Sequence, residues 1–188
     1  MKNSHKLSAV EAVEKIRNGS LTAEVLMRSC LDRVLERDEL VKAWAHIDER
    51  QAIAGARNAD AMGNPGPLAG IPIGVKDIID TADMPTRNGS TIYESNQPNE
   101  DASIVRKTRS IGGVIMGKTV TTEFAWRKPG ATCNPHNPEH TPGGSSSGSA
   151  AGVADYQFPL AFGTQTGGAM SRPAAECGVV GVKPTGGT

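Results

Sequence analysis

The first 40 residues place apolar side chains at helical spacing behind two polar residues that can cap a helix. Ser8 and Glu11 form a Ser-x-x-Glu capping box, which predicts a short helix ending near Gly19. Thr22 can cap a second helix, because the apolar positions after it recur at spacings of three to five. That apolar stripe consists of Val25, Leu26, Cys30, Leu31, Val34 and Leu35. It predicts a helix that faces the core.

Two further helices are predicted by the same kind of pattern. Asp48, followed three residues later by Gln51, predicts a helix that runs to about Met62. Asp101 predicts a helix through about Ser110, which the glycine pair 112–113 would end.

Five apolar or alternating stretches between these helices have the length and composition of strands. Val41–Ile47 alternates, whereas Leu68–Asp80 begins as a continuous apolar run and leads into a loop. Val114–Lys118, Tyr156–Phe162 and the stretch 178–188 are also strand-like. Strands and helices therefore alternate along the chain. This alternation predicts an α/β fold with a largely parallel or mixed sheet and no second domain.

Composition and charge exclude several classes of function. The 188 residues include 20 basic and 20 acidic side chains, so there is no general attraction to nucleic acid or an anionic membrane. No apolar run is long enough to span a bilayer, and the first residues lack a signal-peptide core. The three separate cysteines, Cys30, Cys133 and Cys177, lack zinc-site spacing. We therefore expect a cytoplasmic protein without metal or cofactor.

Two glycine-rich turns, Gly143–Gly148 and Gly163–Gly168, carry the strongest functional signal. Glycine lets successive backbone N–H groups converge on an anion, and the first turn also leads into a predicted helix at Ser149. Flexible linkers are an alternative, but linkers do not usually alternate with strand-like runs. A phosphate-binding P-loop needs a Lys-Ser/Thr pair after its glycines, and neither turn has one.

Lys76 lies within the apolar run 71–79, where an unpaired lysine is unusual. One interpretation is structural, with Lys76 paired to Asp77 or Asp80 at the end of a strand. The other is that burial keeps the amine neutral, because a low dielectric disfavours the ammonium form. A neutral lysine is a base. The residues alone do not decide between these interpretations, although Asp77 is expected to orient the strand of Lys76.

The sequence GGSSSGSAA, followed by GTQTGGxxxRPAA, resembles the amidase signature family of serine amidohydrolases. GIPIGVKDIID at Gly70–Asp80 matches the lysine motif of that family, and the resemblance extends from about Leu21 to Lys183. The GGSSSGS and GTQTGG variants are most similar to the malonamidase branch. The resemblance implies the amidase signature fold, a mixed sheet flanked by helices. It also implies that residues 1–188 are the N-terminal part of a single domain whose C-terminal part is absent.

The resemblance assigns roles to residues of a Ser–cis-Ser–Lys triad. It makes Lys76 the base and Ser145 the bridging serine, which follows a cis peptide bond in the family. Ser146 would help to place Lys76. The nucleophile position holds Ala169 instead of the family's serine, and a methyl group cannot attack a carbonyl. The implied oxyanion hole consists of the backbone N–H groups of Thr166, Gly167, Gly168 and Ala169.

The resemblance also implies where substrate would bind. Arg172 matches an arginine that binds a substrate carboxylate in the malonamidase branch, although Met170 and Ser171 differ from the branch pattern. Gly144 and Ser146 are the other expected substrate contacts. A structural ion pair is the alternative for Arg172. His136 and His140 precede the serines, but we expect structural roles for both.

The function implied by the resemblance is metal-free hydrolysis of a small carboxylic amide through a serine acyl-enzyme. The substrate amide could carry a carboxylate, and a homodimer is one assembly compatible with this function. Ala169 marks either an engineered, inactive Ser-to-Ala form or a natural pseudoenzyme that binds ligand without turnover. A third alternative is the glutaminase subunit of a tRNA-dependent amidotransferase, which shares the triad and has partner subunits.

Overall fold

A computed structural model of the protein describes residues 3–63 and 66–186. The chain forms six α-helices and four strands within these ranges, besides short 3₁₀ turns. The helices are α1 (Ala9–Arg17), α2 (Ala23–Val41), α3 (Glu49–Ala61), α4 (Ser103–Ser110), α5 (Ser147–Ala154) and α6 (Ser171–Cys177). The strands are β1 (Trp44–Ile47), β2 (Pro72–Lys76), β3 (Val114–Thr119) and β4 (Leu160–Phe162).

The caps predicted for the first three helices are confirmed. Ser8 and the side chain of Glu11 form both hydrogen bonds of a capping box at α1. Thr22 Oγ1 accepts a hydrogen bond from the backbone N–H three residues later at the start of α2, and Asp48 Oδ1 does the same for α3. Across the residues described, no helix is both long enough and apolar enough to cross a membrane.

The cap predicted at Asp101 is wrong. Helix α4 begins at Ser103, and its N-cap residue is Ala102, which makes no side-chain cap. The carboxylate of Asp101 accepts a hydrogen bond from the backbone N–H of Ala82 and forms an ion pair with Arg109 at 3.0 Å. These tertiary partners take the carboxylate away from the helix terminus.

Three predicted strands differ from the observed ones. Helix α2 continues through Val41, and Lys42 then takes a left-handed conformation (φ 54°), so β1 begins only at Trp44. Of the stretch predicted at Tyr156–Phe162, only the last three residues form β4. Residues 178–186 contain no strand, and the last two residues of the predicted C-terminal strand lie outside the described residues.

The four strands form one mixed sheet in the order β1-β3-β2-β4. Strand β1 is antiparallel to β3, whereas β2 is parallel to both β3 and β4. In the parallel register, Lys76 pairs with Thr119 and Val75 pairs with Lys118. Helices flank the sheet, so the predicted mixed α/β architecture is confirmed. The register sets the positions of two lysines, Lys76 and Lys118, in neighbouring strands.

Helix α5 packs against the end of the sheet through a glycine. A Cβ atom on Gly148 would lie 2.2 Å from the carbonyl oxygen of Ala43 and 2.4 Å from the amide nitrogen of Val120. Only glycine allows the two backbones to approach this closely. The contact brings the N-terminus of α5, and the serines before it, against the strand ends where Lys76 and Thr119 lie.

Candidate functional site

Lys76 is the last residue of β2, and its side chain is completely buried. Its Nζ donates hydrogen bonds to Ser145 Oγ at 2.5 Å and to Thr164 Oγ1 at 2.7 Å. Among the described residues, no carboxylate lies within ion-pair distance of this nitrogen. The structural interpretation of Lys76, an ion pair with Asp77 or Asp80, is therefore wrong.

Burial lowers the pKa of Lys76 to about 8, and no charged neighbour contributes to this shift. The cause is the loss of hydration, which penalises the ammonium form. About half of this amine is therefore neutral at pH 8, and about a tenth at pH 7. In that form, its nitrogen can accept a proton from a hydroxyl in contact with it.

Ser145 follows Gly144 through a cis peptide bond and is almost completely buried. Its carbonyl oxygen accepts a hydrogen bond from the backbone N–H of Thr122 at 3.2 Å, which fixes the turn to the loop after β3. The Ser145 hydroxyl accepts from Lys76 and, within residues 3–63 and 66–186, donates to no protein group. Since a hydroxyl can donate and accept at once, its own hydrogen is free to bridge to a further group.

Ser146 joins the two glycine-rich turns. Its Oγ accepts a hydrogen bond from Thr164 N at 3.2 Å and donates to Thr164 O at 3.3 Å. Its backbone N–H donates to the carbonyl oxygen of Ala169 at 3.2 Å. A Cβ atom on Gly163 would lie 2.7 Å from Ser146 Oγ, so the second turn needs glycine there. Ser146 thereby orders Thr164, which is a direct partner of Lys76.

The second turn contains four consecutive backbone N–H groups, those of residues 166–169. In the part of the chain that the structure describes, the amides of Thr166, Gly167, Gly168 and Ala169 donate no hydrogen bond. Thr166, Gly167 and Gly168 are exposed, and Ala169 is half-buried. Such a row of amides can bind an oxyanion.

Gln165 holds this turn in place. Its Oε1 accepts hydrogen bonds from Met170 N at 2.8 Å, from Ser171 N at 2.9 Å and from Ser171 Oγ at 3.0 Å. The backbone N–H of Arg172 donates to Gly168 O at 2.9 Å. The turn is therefore fixed from its first residues to the start of α6, which sets the position of Ala169.

Arg172 extends from α6 toward the serine turn, with 64% of its side chain exposed. Its Nη2 lies 3.8 Å from the point that a Cβ atom on Gly144 would occupy. Its Nε lies 3.8 Å from a carboxylate oxygen of Glu176, one helical turn away on α6. This contact is long for a charged hydrogen bond. The arginine is therefore close to the site, and its pairing is loose.

The two histidines that precede the serines are placed differently from a catalytic histidine. The Nε2 atom of His136 is 2.8 Å from the carbonyl oxygen of Cys177 at the end of α6. The carbonyl of His140 accepts a hydrogen bond from the backbone of Asn134. Neither histidine makes a hydrogen bond to Ser145. These contacts agree with the structural roles expected from the sequence.

The other face of the strands carries a buried ion pair. Lys118 Nζ lies 3.4 Å from Asp77 Oδ1 and donates to Thr86 Oγ1 at 2.6 Å and to Pro85 O at 3.2 Å. The Asp77 carboxylate also accepts from the backbone N–H of Arg87 at 3.2 Å and 3.3 Å. Burial lowers the pKa of Lys118 and raises the pKa of Asp77, while the attraction between their charges opposes both shifts.

Sequence reasoning missed Thr164 as a direct contact of Lys76 and did not single out Lys118. Lys118 shows the same signal as Lys76, a lysine at the end of a short apolar run. Thr164 lies 88 residues from Lys76, so only the parallel pairing of β2 and β4 brings them together.

Comparison with known proteins matches residues 25–188 to the amidase family. The chain belongs to this family. A glutamyl-tRNA(Gln) amidotransferase subunit from Thermobifida fusca is 43% identical over 193 residues, covering 97% of this chain and 39% of that protein. The corresponding subunit of Natranaerobius thermophilus is 41% identical, over 96% of this chain and 39% of that protein. The chain thus spans about two fifths of the length of these two relatives.

Solved structures of amidase-family proteins agree with the fold. The native peptide amidase of Stenotrophomonas maltophilia superposes with a TM-score of 0.84 at 32% identity, covering 90% of this chain and 38% of that one. The amidase signature fold and the mixed sheet are therefore established. The relatives named above are amidotransferase subunits, so they do not place the chain in the malonamidase branch.

Proposed function

We propose that this chain carries the proton-transfer part of an amide-hydrolysing site, with Lys76 as the base and Ser145 as the relay. The observation that carries the proposal is the 2.5 Å hydrogen bond between Lys76 Nζ and Ser145 Oγ inside the protein. The lowered pKa of Lys76, to about 8, supports it. A base with a pKa near the working pH is the most effective general base.

The proposed reaction needs a serine hydroxyl at position 169. Its proton would pass to Ser145 Oγ as the proton of Ser145 passes to Lys76 Nζ, and the freed oxygen would attack the amide carbonyl. The unpaired amides of the 166–169 turn would bind the resulting oxyanion. The proton on Lys76 would return through Ser145 to the leaving nitrogen. Water would then release the acid from the acyl-enzyme by the same route.

Ala169 lacks the oxygen that this reaction needs, so we propose that the chain in its present form is inactive. The other parts of the proposed site are present among the described residues: the Lys76–Ser145 contact is made, and the 166–169 amides donate to no group there. This agrees with a Ser-to-Ala replacement in a complete hydrolase better than with a pseudoenzyme. Ser171 lies in the same turn, but its hydroxyl donates to Gln165 Oε1. It is therefore not placed as a substitute nucleophile.

Arg172 supports a small amide that carries a carboxylate as the substrate. Its guanidinium lies beside Gly144, is largely exposed and has only a loose partner in Glu176. A guanidinium in this position can bind a carboxylate with two parallel hydrogen bonds. Gly144 and Ser146 complete the proposed contacts near the reacting carbonyl.

A second candidate is an ammonia-supplying glutaminase subunit of a tRNA-dependent amidotransferase. Relatives named as subunits of glutamyl-tRNA(Gln) amidotransferase, at 41–44% identity, favour it. Glutamine also carries a carboxylate and a primary amide, so both candidates use the same site chemistry. The amidotransferase candidate requires partner subunits, whereas the free amidase does not.

The test is Ala169→Ser in the whole protein. Loss of a nucleophilic serine costs about 10⁶-fold in kcat in a serine hydrolase, so a gain of similar order is expected on restoration. Turnover would be measured on glutamine and on matched amides with and without a carboxylate. A fluorophosphonate adduct at position 169, located by mass spectrometry, should appear only in the serine form.

Ser171→Ala in the Ala169→Ser protein is the matched control and should leave labelling unchanged. If the serine form folds but neither labels nor hydrolyses any of these amides, the protein is a pseudoenzyme. Activity on glutamine that depends on copurified partner proteins would favour the amidotransferase candidate. Equal KM values for acidic and neutral amides would exclude carboxylate binding by Arg172.

A further inference from the structure

The proposed reaction leaves one large buried ionic group unused, the pair of Lys118 and Asp77. The exposed fractions of the two residues are 0% and 1%. Asp77 follows Lys76 directly in the sequence, and its backbone N–H continues the ladder by donating to Thr119 O at 2.9 Å. A buried carboxylate therefore lies one residue from the proposed base.

The pleat of the strand directs the side chains of Lys76 and Asp77 to opposite faces of the sheet. Successive residues of a strand point to opposite faces of the sheet, and paired residues of neighbouring strands share a face. Lys76 shares its face with Thr119, whose hydroxyl is 2.7 Å from Ser149 on α5. Asp77 and Lys118 meet on the other face. The Asp77 carboxylate is thus directed away from the Lys76 amine but remains close to it through the backbone.

If no opposite charge compensated the carboxylate of Asp77, the residue next to Lys76, that carboxylate would favour the ammonium form of Lys76. The sheet interior screens charge less than water does, so the effect would reach across the strand. The ammonium of Lys118 lies 3.4 Å from that carboxylate. Two opposite charges this close together act on a more distant group more weakly than either charge alone.

We propose that Lys118 is a positioning residue for the proposed base: it binds the Asp77 carboxylate on the far face of the sheet, so that the Lys76 amine meets only neutral hydroxyl groups. This inference rests on the proposed function of Lys76.

The surroundings of the two lysines differ in charge, as the proposal requires. On the far face, Lys118 meets Asp77, with Asp80 and Asp83 farther away, and interacts with His46 on β1. Arg87 lies there as well, since its backbone N–H binds Asp77. On the face of the sheet that carries Lys76, α5, β4 and the turn at 163–170 contain no titratable residue. The charged groups closest to this face are Arg172 and Glu176 on α6, which lie beside the 143–144 glycines with their opposite charges 3.8 Å apart.

The test measures the titration of Lys76 directly, in the chain as it stands with Ala169. Lysine labelled with ¹³C at Cε gives one resonance per residue, and Lys76→Met identifies that of Lys76. As a general scale, one charge about 8 Å from an amine shifts its pKa by roughly 1.5 units at an effective dielectric of about 20. Lys118→Met should raise the Lys76 midpoint by about this amount, and Asp77→Asn should lower it by a similar amount.

The double variant Lys118→Met/Asp77→Asn should return the midpoint close to that of the parent. Lys107→Met, an exposed lysine on α4, is the matched control and should have no effect. If the Lys118→Met protein does not fold, the test rests on Asp77→Asn, which should lower the Lys76 midpoint instead of raising it. Two outcomes would overturn the proposal by showing that the pair is purely structural. One is that both single variants fold and leave the Lys76 midpoint unchanged. The other is that neither single variant folds, whereas the double variant does. Because no amide turnover is measured, this outcome is independent of whether Ala169→Ser restores hydrolysis.

Discussion

Lys76 and Lys118 lie in neighbouring parallel strands and are both completely buried, yet their surroundings differ in kind. Lys76 contacts two hydroxyls, those of Ser145 and Thr164, and no carboxylate among the described residues. Lys118 contacts one hydroxyl, one carbonyl and the carboxylate of Asp77. Burial disfavours the charge of both, but only Lys118 has an opposite charge that compensates. A buried lysine facing neutral groups is poised to act as a base, whereas one facing a carboxylate remains an ion pair.

The largest difference between the two lysines should appear in catalysis. In the Ala169→Ser protein, Lys76→Met is expected to lower kcat by at least about 10²–10⁴-fold, because a general base contributes that much. Lys118→Met should lower kcat less at pH 7, and raising the pH should restore much of the loss. The measurement is kcat from pH 6 to 10, with circular dichroism to confirm folding. Equal, pH-independent losses in both variants would remove the functional distinction between them.

Replacing each lysine by methionine should change the free energy of unfolding in opposite directions. Lys118→Met leaves Asp77 buried without its ion-pair partner and is expected to reduce the free energy of unfolding by about 3–5 kcal/mol. Lys76→Met removes a desolvated ammonium and leaves no buried charge, so it should stabilise the protein at pH 6–7. Urea unfolding of both variants at one pH measures these changes. Destabilisation of similar size by both would mean that Lys76 also stabilises the fold through its charge.

The stabilisation by Lys76→Met should depend on pH in a defined way. The pKa of Lys76 is lowered to about 8 in the folded state, against about 10.4 in an unfolded chain. Below pH 8 both states bind the proton, so the folded protein bears the full cost of the buried charge. Between pH 8 and about 10.4 the unfolded state binds more protons, and the stability of the parent rises. The advantage of Lys76→Met should therefore fade over this interval.

The features that the sequence predicts well are those decided within a few residues. The caps at Ser8, Thr22 and Asp48 depend on hydrogen bonds that span three residues, and all three are observed. Asp101 has the same local pattern, but Ala82 and Arg109 compete successfully for its carboxylate. Local pattern cannot reveal such a competitor.

Contacts between distant residues were predictable only where a family resemblance supplied them. The resemblance brought Lys76 to Ser145 across 69 residues, and the structure shows that contact. The Lys118–Asp77 pair was not predicted, although both residues are visible in the sequence. Its formation depends on a sheet order, β1-β3-β2-β4, that differs from the order of the strands along the chain. Which face each lysine occupies follows from this register.

The smallest expected effects concern the threonine that each lysine binds, and they form a matched pair. Thr164 Oγ1 accepts from Lys76 at 2.7 Å, and Thr86 Oγ1 accepts from Lys118 at 2.6 Å. Valine has nearly the same shape as threonine and removes only the hydroxyl. Each Thr→Val change should therefore cost about 1–3 kcal/mol of stability, the cost of leaving a buried donor unsatisfied.

The two variants should differ in what happens to the base. Thr164→Val removes one of two groups that solvate the Lys76 ammonium, so the Lys76 titration midpoint should fall by a few tenths of a pKa unit. Thr86→Val leaves the Lys118–Asp77 ion pair in place, so the same midpoint should stay where it is. Both can be read from the ¹³C resonance of Lys76 together with urea unfolding. If Thr86→Val moves the midpoint as far as Thr164→Val does, loss of a hydroxyl on the far face affects Lys76 as much as loss of a direct partner. The contrast between a base among hydroxyls and a lysine held by a carboxylate would then have to be replaced by a single coupled cluster.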